Sequence, residues 1–402
     1  MFRDGNRQPG TVPEDGFAVR LAMFYGAIFA VLGVYLPYLP VWLDWRGLSA
    51  SEIGLITAAP LFARVIATPL ITLHADRRGD HRETIRIGAA AGFIAALALS
   101  FCGTFWSILL LVVVFQIAQQ SILPLTEAIA MAGVKSRGLD YGRVRLWGSL
   151  SFIAANLLGG AVLARYGGVS VMVLIVMAAA ATAGAALILT GPSQAEPVAM
   201  RAPPTLSDML RLARQPWFLA LMAASGLIQG SHAVYYAFSA LHWRELGIAD
   251  AWLGGLWAIG VLAEVALFAW SSAVLARTGA VAMIVLGGAA AVLRWVLMAF
   301  DPSFALLLGL QLLHALTFGA TFLGTLHLLH RTVPVGQAGS AQGLHAALAP
   351  GIIMGAITVL AGQLYAPLKG YSFMVMAGLA AVGTCSALLL PYLLGRRARS
   401  EV

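Results

Sequence analysis

The stretch LFARVIATPLITLHADRRGDHR, residues 61–82, runs from an apolar segment with one arginine in it straight into a loop crowded with charge. Residues 53–73 make an apolar run of the ~20-residue length that a helix needs to cross a bilayer. Lipid offers the backbone no hydrogen-bonding partner, so such a run is a helix. Arg77, Arg78, Arg82 and Arg86 then mark the end expected to stay cytoplasmic. The pattern returns 200 residues later. VLAEVAL at 261–267 answers LFARVIA at 61–67, and ARTG at 276–279 answers DRRG at 76–79. Glu264 stands in the second copy where Arg64 stands in the first. A duplicated helical unit is the reading that follows.

Composition sets the medium. The chain has 402 residues, 60% hydrophobic and 10% charged, with mean hydropathy +0.85. Soluble domains carry about 25% charged residues, so this chain is expected to live in a lipid bilayer. Lys and Arg outnumber Asp and Glu by 25 to 17. That excess reflects topology and not nucleic acid, because its placement is one-sided. Cys102 and Cys385 lie in apolar runs and indicate no disulfide framework. The first apolar run lacks a small-residue cleavage site and is expected to be retained.

Twelve apolar runs are long enough to span, near 17–43, 53–73, 85–102, 105–133, 146–164, 169–190, 216–241, 252–275, 280–300, 303–327, 341–365 and 371–394. The expected fold is an all-α membrane protein of two six-helix bundles related by a parallel repeat. The bundles are 1–190 and 216–402. A Pro- and Ala-rich linker, 191–215, joins them and ends in an amphipathic surface helix. Nineteen of the Lys and Arg residues fall on the side that holds both termini, and only Arg46, Arg165, Arg244 and Lys369 on the other. Both termini are therefore expected in the cytoplasm, with the chain in the cytoplasmic membrane. Arg64 and Arg294 remain, and both lie inside spans.

DRRGDHR at 76–82 resembles the D-R-x-G-R-[KR] loop of the major facilitator superfamily, with Asp80 and His81 interrupting its basic end. The resemblance implies a gating role for Asp76, Arg77 and Gly79. PLTEAIA at 124–130, LDYGRVRLWGS at 139–149 and QGSHAVYYAFSALHW at 229–243 closely resemble the phenylpropionate permease family over essentially the whole chain. A more distant likeness is to lactose-permease-like sugar:proton symporters. These resemblances imply alternating access, proton-coupled uptake and an aromatic carboxylate such as 3-phenylpropionate as substrate.

Charge inside a bilayer is costly, about 2.5–3.5 kcal/mol on insertion scales, and it usually faces a partner or an aqueous cavity. Glu127 and Arg145 are eighteen residues apart across one short basic loop, so they can meet. They read either as a structural ion pair or as a substrate or proton group; the sugar symporters hold substrate with such a pair. Glu264 and Arg294 lie ~18 and ~21 Å into their spans from opposite faces, offset by roughly 10 Å, so pairing needs long side chains or a water. Arg64 has no carboxylate nearby in sequence. Its planar fork suits an anionic substrate, or it tethers its helix to Glu127 or to backbone carbonyls.

His314 lies in QLLHALTF, where the sugar symporters resembling this chain have H-x-x-E; here Thr317 replaces the glutamate. The proton carrier is thus expected at Glu264 or Glu127, since desolvation favours a neutral carboxyl. His314 reads as part of that relay or as a core hydrogen-bonding residue. His232 and His345 are cavity candidates, and His327 and His330 read as a helix end. Tyr25, Tyr235, Tyr236, Phe238 and Trp257 are candidates for an apolar pocket around a phenyl ring.

The expected function is a proton-driven importer of an organic anion, acting as a monomer. Its only cofactor is the proton gradient, with no metal. The alternative is a proton symporter of a sugar, nucleoside or other neutral solute. No phosphate-cradling loop and no H-E-x-x-H pattern is present, which argues against ATP-driven transport and against a metal-dependent intramembrane enzyme.

Overall fold

A computed structural model describes residues 16–190, 206–333 and 337–400. Among these residues there are helices and turns and no strand. Helices α1 Phe17–Trp45, α2 Ala50–Arg78, α3 His81–Leu99, α4 Phe105–Arg137, α5 Tyr141–Tyr166 and α6 Val169–Ile188 make the first half. The short amphipathic α7, Leu206–Ala213, follows and packs against the start of the second half. Most of the expected linker, 191–205, lies outside the described residues.

The second half is less regular. α8 Pro216–Gly230 and α9 Ala233–Glu245 form one segment broken at Ser231 and His232. α10 Asp250–Ala269 continues into α11 Ser271–Thr278, and α12 Ala280–Met298 is unbroken. α13 Phe304–Leu312 passes through a π-helical turn, Ala315–Ala320, into α14 Thr321–Thr332. α15 Ala338–Ala347 passes through a second π turn, Leu348–Ile353, into α16 Met354–Leu368, and α17 Ser372–Ser400 closes the chain.

Ten stretches are long and apolar enough to cross a membrane. One of them, Gly339–Arg396, contains two segments joined at the tight turn Lys369–Tyr371. α3 is not among them, because Arg82, Glu83 and Arg86 crowd its beginning. The outer face is apolar, with Ile66, Leu70, Trp106, Leu187 and Leu388 among the exposed side chains.

Local chemistry sets the helix ends. Ser49 and Glu52 form a reciprocal capping box at the start of α2. Gly79 closes α2 with φ +69°, a conformation that glycine adopts without steric cost. Asp80 then caps α3 by accepting from the amides of Arg82 and Glu83. The charged 76–82 loop is therefore one helix stop followed directly by one helix start.

Between the halves, α2 packs on α16 and α5 on α10. Both contacts are tight at the end away from the termini, here called the far end. A Cβ on Gly54 would lie 2.6 Å from the Cα of Gly362, and one on Gly254 only 1.9 Å from the Asn156 carbonyl oxygen. The Tyr38 hydroxyl donates to that same carbonyl at 2.6 Å. The far end is thus sealed by backbone against backbone. Toward the end that carries the termini, α5 and α10 part, and Tyr141, Gly142 and Ala269 line an opening between them.

Candidate functional site

Two connected lobes lie between the halves, sharing Leu36, Tyr236 and Phe318 as a common wall. Their volumes, about 440 and 930 Å³, fall in the ~300–1,000 Å³ range of small-molecule sites.

The smaller lobe holds Arg64. Its guanidinium donates to Gln120 Oε1 at 2.8 Å and to the Pro350 carbonyl at 2.5 Å. Gln120 lies on α4 in the same half, whereas Pro350 sits in the second π turn of the other half. No carboxylate among the described residues lies within ion-pair distance of Arg64. Of the two tethers considered from sequence, the carbonyl is the one present. Tyr35, Tyr236, Phe318 and Phe322 give this lobe its aromatic wall, and His345 lines it while its Nε2 bonds Ser225 Oγ at 3.0 Å.

The larger lobe collects the remaining charges. Glu127 lies 3.7 Å from Arg145 and accepts from the Tyr141 hydroxyl at 2.8 Å. The Arg145 guanidinium also covers the Phe29 ring, 4.0 Å from its centre. Glu264 lines the same lobe from α10, among Val261, Val265 and Phe268.

Glu264 and Arg294 are linked through a third residue. His314 Nε2 lies 3.4 Å from Glu264 Oε2, and His314 Nδ1 lies 3.3 Å from Arg294 Nη1. A guanidinium can only donate, so His314 Nδ1 accepts and Nε2 carries the proton that faces Glu264. The offset between Glu264 and Arg294 is thus filled by an imidazole, not by water or by stretched side chains. The π turn that begins after His314 belongs to this geometry, and it stacks His314 on Phe318 at 5.5 Å. Such turns interrupt helices most often at functional positions. Arg294 is fully buried, bonds Gln311 Oε1 at 2.8 Å, and lies under the rings of Tyr235 and Trp295.

Thr317 takes up the space of the glutamate expected in a sugar-type relay. Its hydroxyl lies 2.9 Å from His232 Nε2 and 3.4 Å from Arg294 Nη1. His232 is fully buried and lines neither lobe; its Nδ1 donates to the Gln229 carbonyl at 3.0 Å, in the break between α8 and α9. Tyr235, Tyr236 and Trp257 line the larger lobe. Phe238 does not, being stacked on Tyr365 at 4.4 Å, and Tyr25 is buried behind Arg145. In the 76–82 loop, Asp76 pairs with His81 at 2.9 Å, Arg77 is exposed and Gly79 forms the turn. The glutamines of the smaller lobe, Gln116, Gln120 and Gln229, were not singled out from sequence. Amides inside apolar runs such as VFQIAQQS, 114–121, were the available signal.

Helical halves sealed at one end around a polar cavity define a secondary transporter, not an enzyme. Residues 18–376 match the MFS_1 like family, and the chain belongs to it. It is 34% identical over 373 residues to the "Probable 3-phenylpropionic acid transporter" of Escherichia coli, covering 89% of this chain and 93% of that one. The maltose permease of Geobacillus stearothermophilus is 25% identical over 346 residues, covering 85% of this chain and 86% of that one. Among solved structures, a mutant form of the nucleoside transporter NupG matches with TM-score 0.83 at 17% identity, over 93% of this chain and 99% of that one. These are multi-pass membrane transporters, and the fold is theirs.

Proposed function

We propose that the protein is a proton-coupled importer of an aromatic carboxylate, of the size and chemistry of 3-phenylpropionate. The observation that carries this reading is Arg64, a guanidinium with only neutral partners on the wall of an aromatic-lined cavity. A carboxylate offers it two acceptors and the missing charge. The phenyl ring of such a substrate has Tyr35, Tyr236 and Phe318 to stack against. The name of the E. coli relative supports the same class.

Coupling is assigned to the larger lobe. Glu264 sits among apolar side chains with His314 Nε2–H as its polar neighbour. A carboxyl there can take a proton from the open side and release it when the cavity faces the other way. Glu127 is held by Arg145 and Tyr141, which favours its ionised form and suits it to binding or gating. The one-sided Lys and Arg distribution supports termini in the cytoplasm and a cavity opening inward in the state described.

A neutral solute is the second reading. It is favoured by the three cavity glutamines and by the maltose permease similarity. A thermal-shift screen on the purified protein separates the two. Stabilisation by 3-phenylpropionate and its congeners, with none by sugars or nucleosides, is expected; the reverse pattern would replace the first reading by the second.

A further inference from the structure

The smaller lobe contains a donor with nothing to donate to. Gln229 is 8% exposed, and no acceptor lies within hydrogen-bond distance of its Nε2. A buried amide left unpaired is costly, and native structures rarely keep one without a use. Its backbone carbonyl is engaged by the amide and the Nδ1 of His232, in the break between α8 and α9. The break therefore fixes where the residue sits, and the residue lines the same cavity as Arg64.

The two groups come from opposite halves, Arg64 from α2 and Gln229 from α8. A hydroxyl or an amide arriving in the lobe satisfies Gln229 but leaves the Arg64 charge uncompensated. A carboxylate satisfies both. We propose that Gln229 is the second arm of a carboxylate site, its Nε2–H bonding one oxygen while Arg64 bonds the other. This rests on the carboxylate reading above and adds to it a specificity-determining residue. The bound anion then bridges the halves directly, where the empty site has only the Arg64–Pro350 contact.

The test uses the full chain in lipid nanodiscs and the equilibrium binding of 3-phenylpropionate and of its neutral amide. Gln229→Leu is expected to weaken the acid by about 10- to 100-fold and the amide by at most several-fold, the difference between charge-assisted and neutral hydrogen bonds. Gln229→Glu keeps the side-chain size and sets a like charge beside the anion; it is expected to abolish acid binding while the amide still binds. Combined with Arg64→Gln, Gln229→Leu is expected to cost less than the product of the single effects, because both act on one carboxylate.

Acid affinity unchanged in Gln229→Leu, or acid and amide weakened alike, overturns the assignment. Should Gln229→Leu fail to fold, acid binding retained by Gln229→Glu overturns it instead. A parent protein that binds no acid overturns the carboxylate reading itself, and this inference with it. A parent that binds acid while Gln229 proves indifferent overturns this inference alone.

Discussion

Glu264→Gln separates the movement of substrate from the movement of protons. The amide fills the same volume among Val261, Val265 and Phe268 and keeps a polar atom opposite His314 Nε2, now 3.4 Å from Glu264. What it loses is the ability to gain and release a proton. A carrier that moves one proton with each monovalent anion draws about 1.36 kcal/mol from each unit of pH difference, so a one-unit gradient sustains roughly tenfold accumulation. The ceiling for Glu264→Gln is no accumulation at all. Exchange of labelled for unlabelled substrate needs no net proton movement and is expected to survive. Proteoliposomes report both quantities, uphill uptake under an imposed pH gradient and counterflow without one. Tenfold accumulation by the variant refutes the reasoning. Loss of counterflow along with accumulation makes Glu264 a binding or structural group.

Glu127→Gln is expected to impair both activities, since it leaves Arg145 and Tyr141 without their shared carboxylate. The pair is about one-third exposed, so stability should fall by only ~1 kcal/mol; if this variant is the one that splits the two activities, the roles are exchanged. Arg64→Gln is expected to weaken 3-phenylpropionate by on the order of 10- to 100-fold and its amide far less, and equal losses in a binding assay would make Arg64 a tether only. Thr317→Val removes the hydroxyl shared by His232 and Arg294 and is expected to destabilise by about 1–3 kcal/mol, seen as a lower unfolding midpoint; an unchanged midpoint contradicts it. Gly254→Val drives a side chain into the Asn156 carbonyl and is expected to pry open the far end, raising thiol labelling of a cysteine placed there; labelling equal to the parent contradicts the proposed seal.

Much of this was legible in the sequence, for definite physical reasons. Apolar runs of bilayer length admit only helices, so the segments could be read directly. The offset of 200 residues between Arg64 and Glu264 anticipated the way α2 and α10 each contact the opposite half. The Glu127–Arg145 contact followed from loop length alone. Other features were hidden because they depend on rotation about the helix axis. His314 fills the gap between Glu264 and Arg294 only because a π turn sets its direction, and that turn has no composition signal. His232 read as a cavity residue, yet the break at Ser231 turns it into the core, where Ser231 also accepts from Trp295 at 2.8 Å. Gln229, three residues earlier, is left on the cavity wall.

Proton entry with substrate is the central claim, and it can be measured without any variant. In a weakly buffered suspension of proteoliposomes slightly above neutral pH, addition of 3-phenylpropionate should alkalinise the medium as labelled substrate enters. Protein-free vesicles provide the subtraction for passive entry of the acid. The account predicts a proton signal that tracks substrate entry, and active uptake that collapses with a protonophore. Substrate entry with no proton movement, or accumulation that follows a sodium gradient and ignores the protonophore, would contradict it.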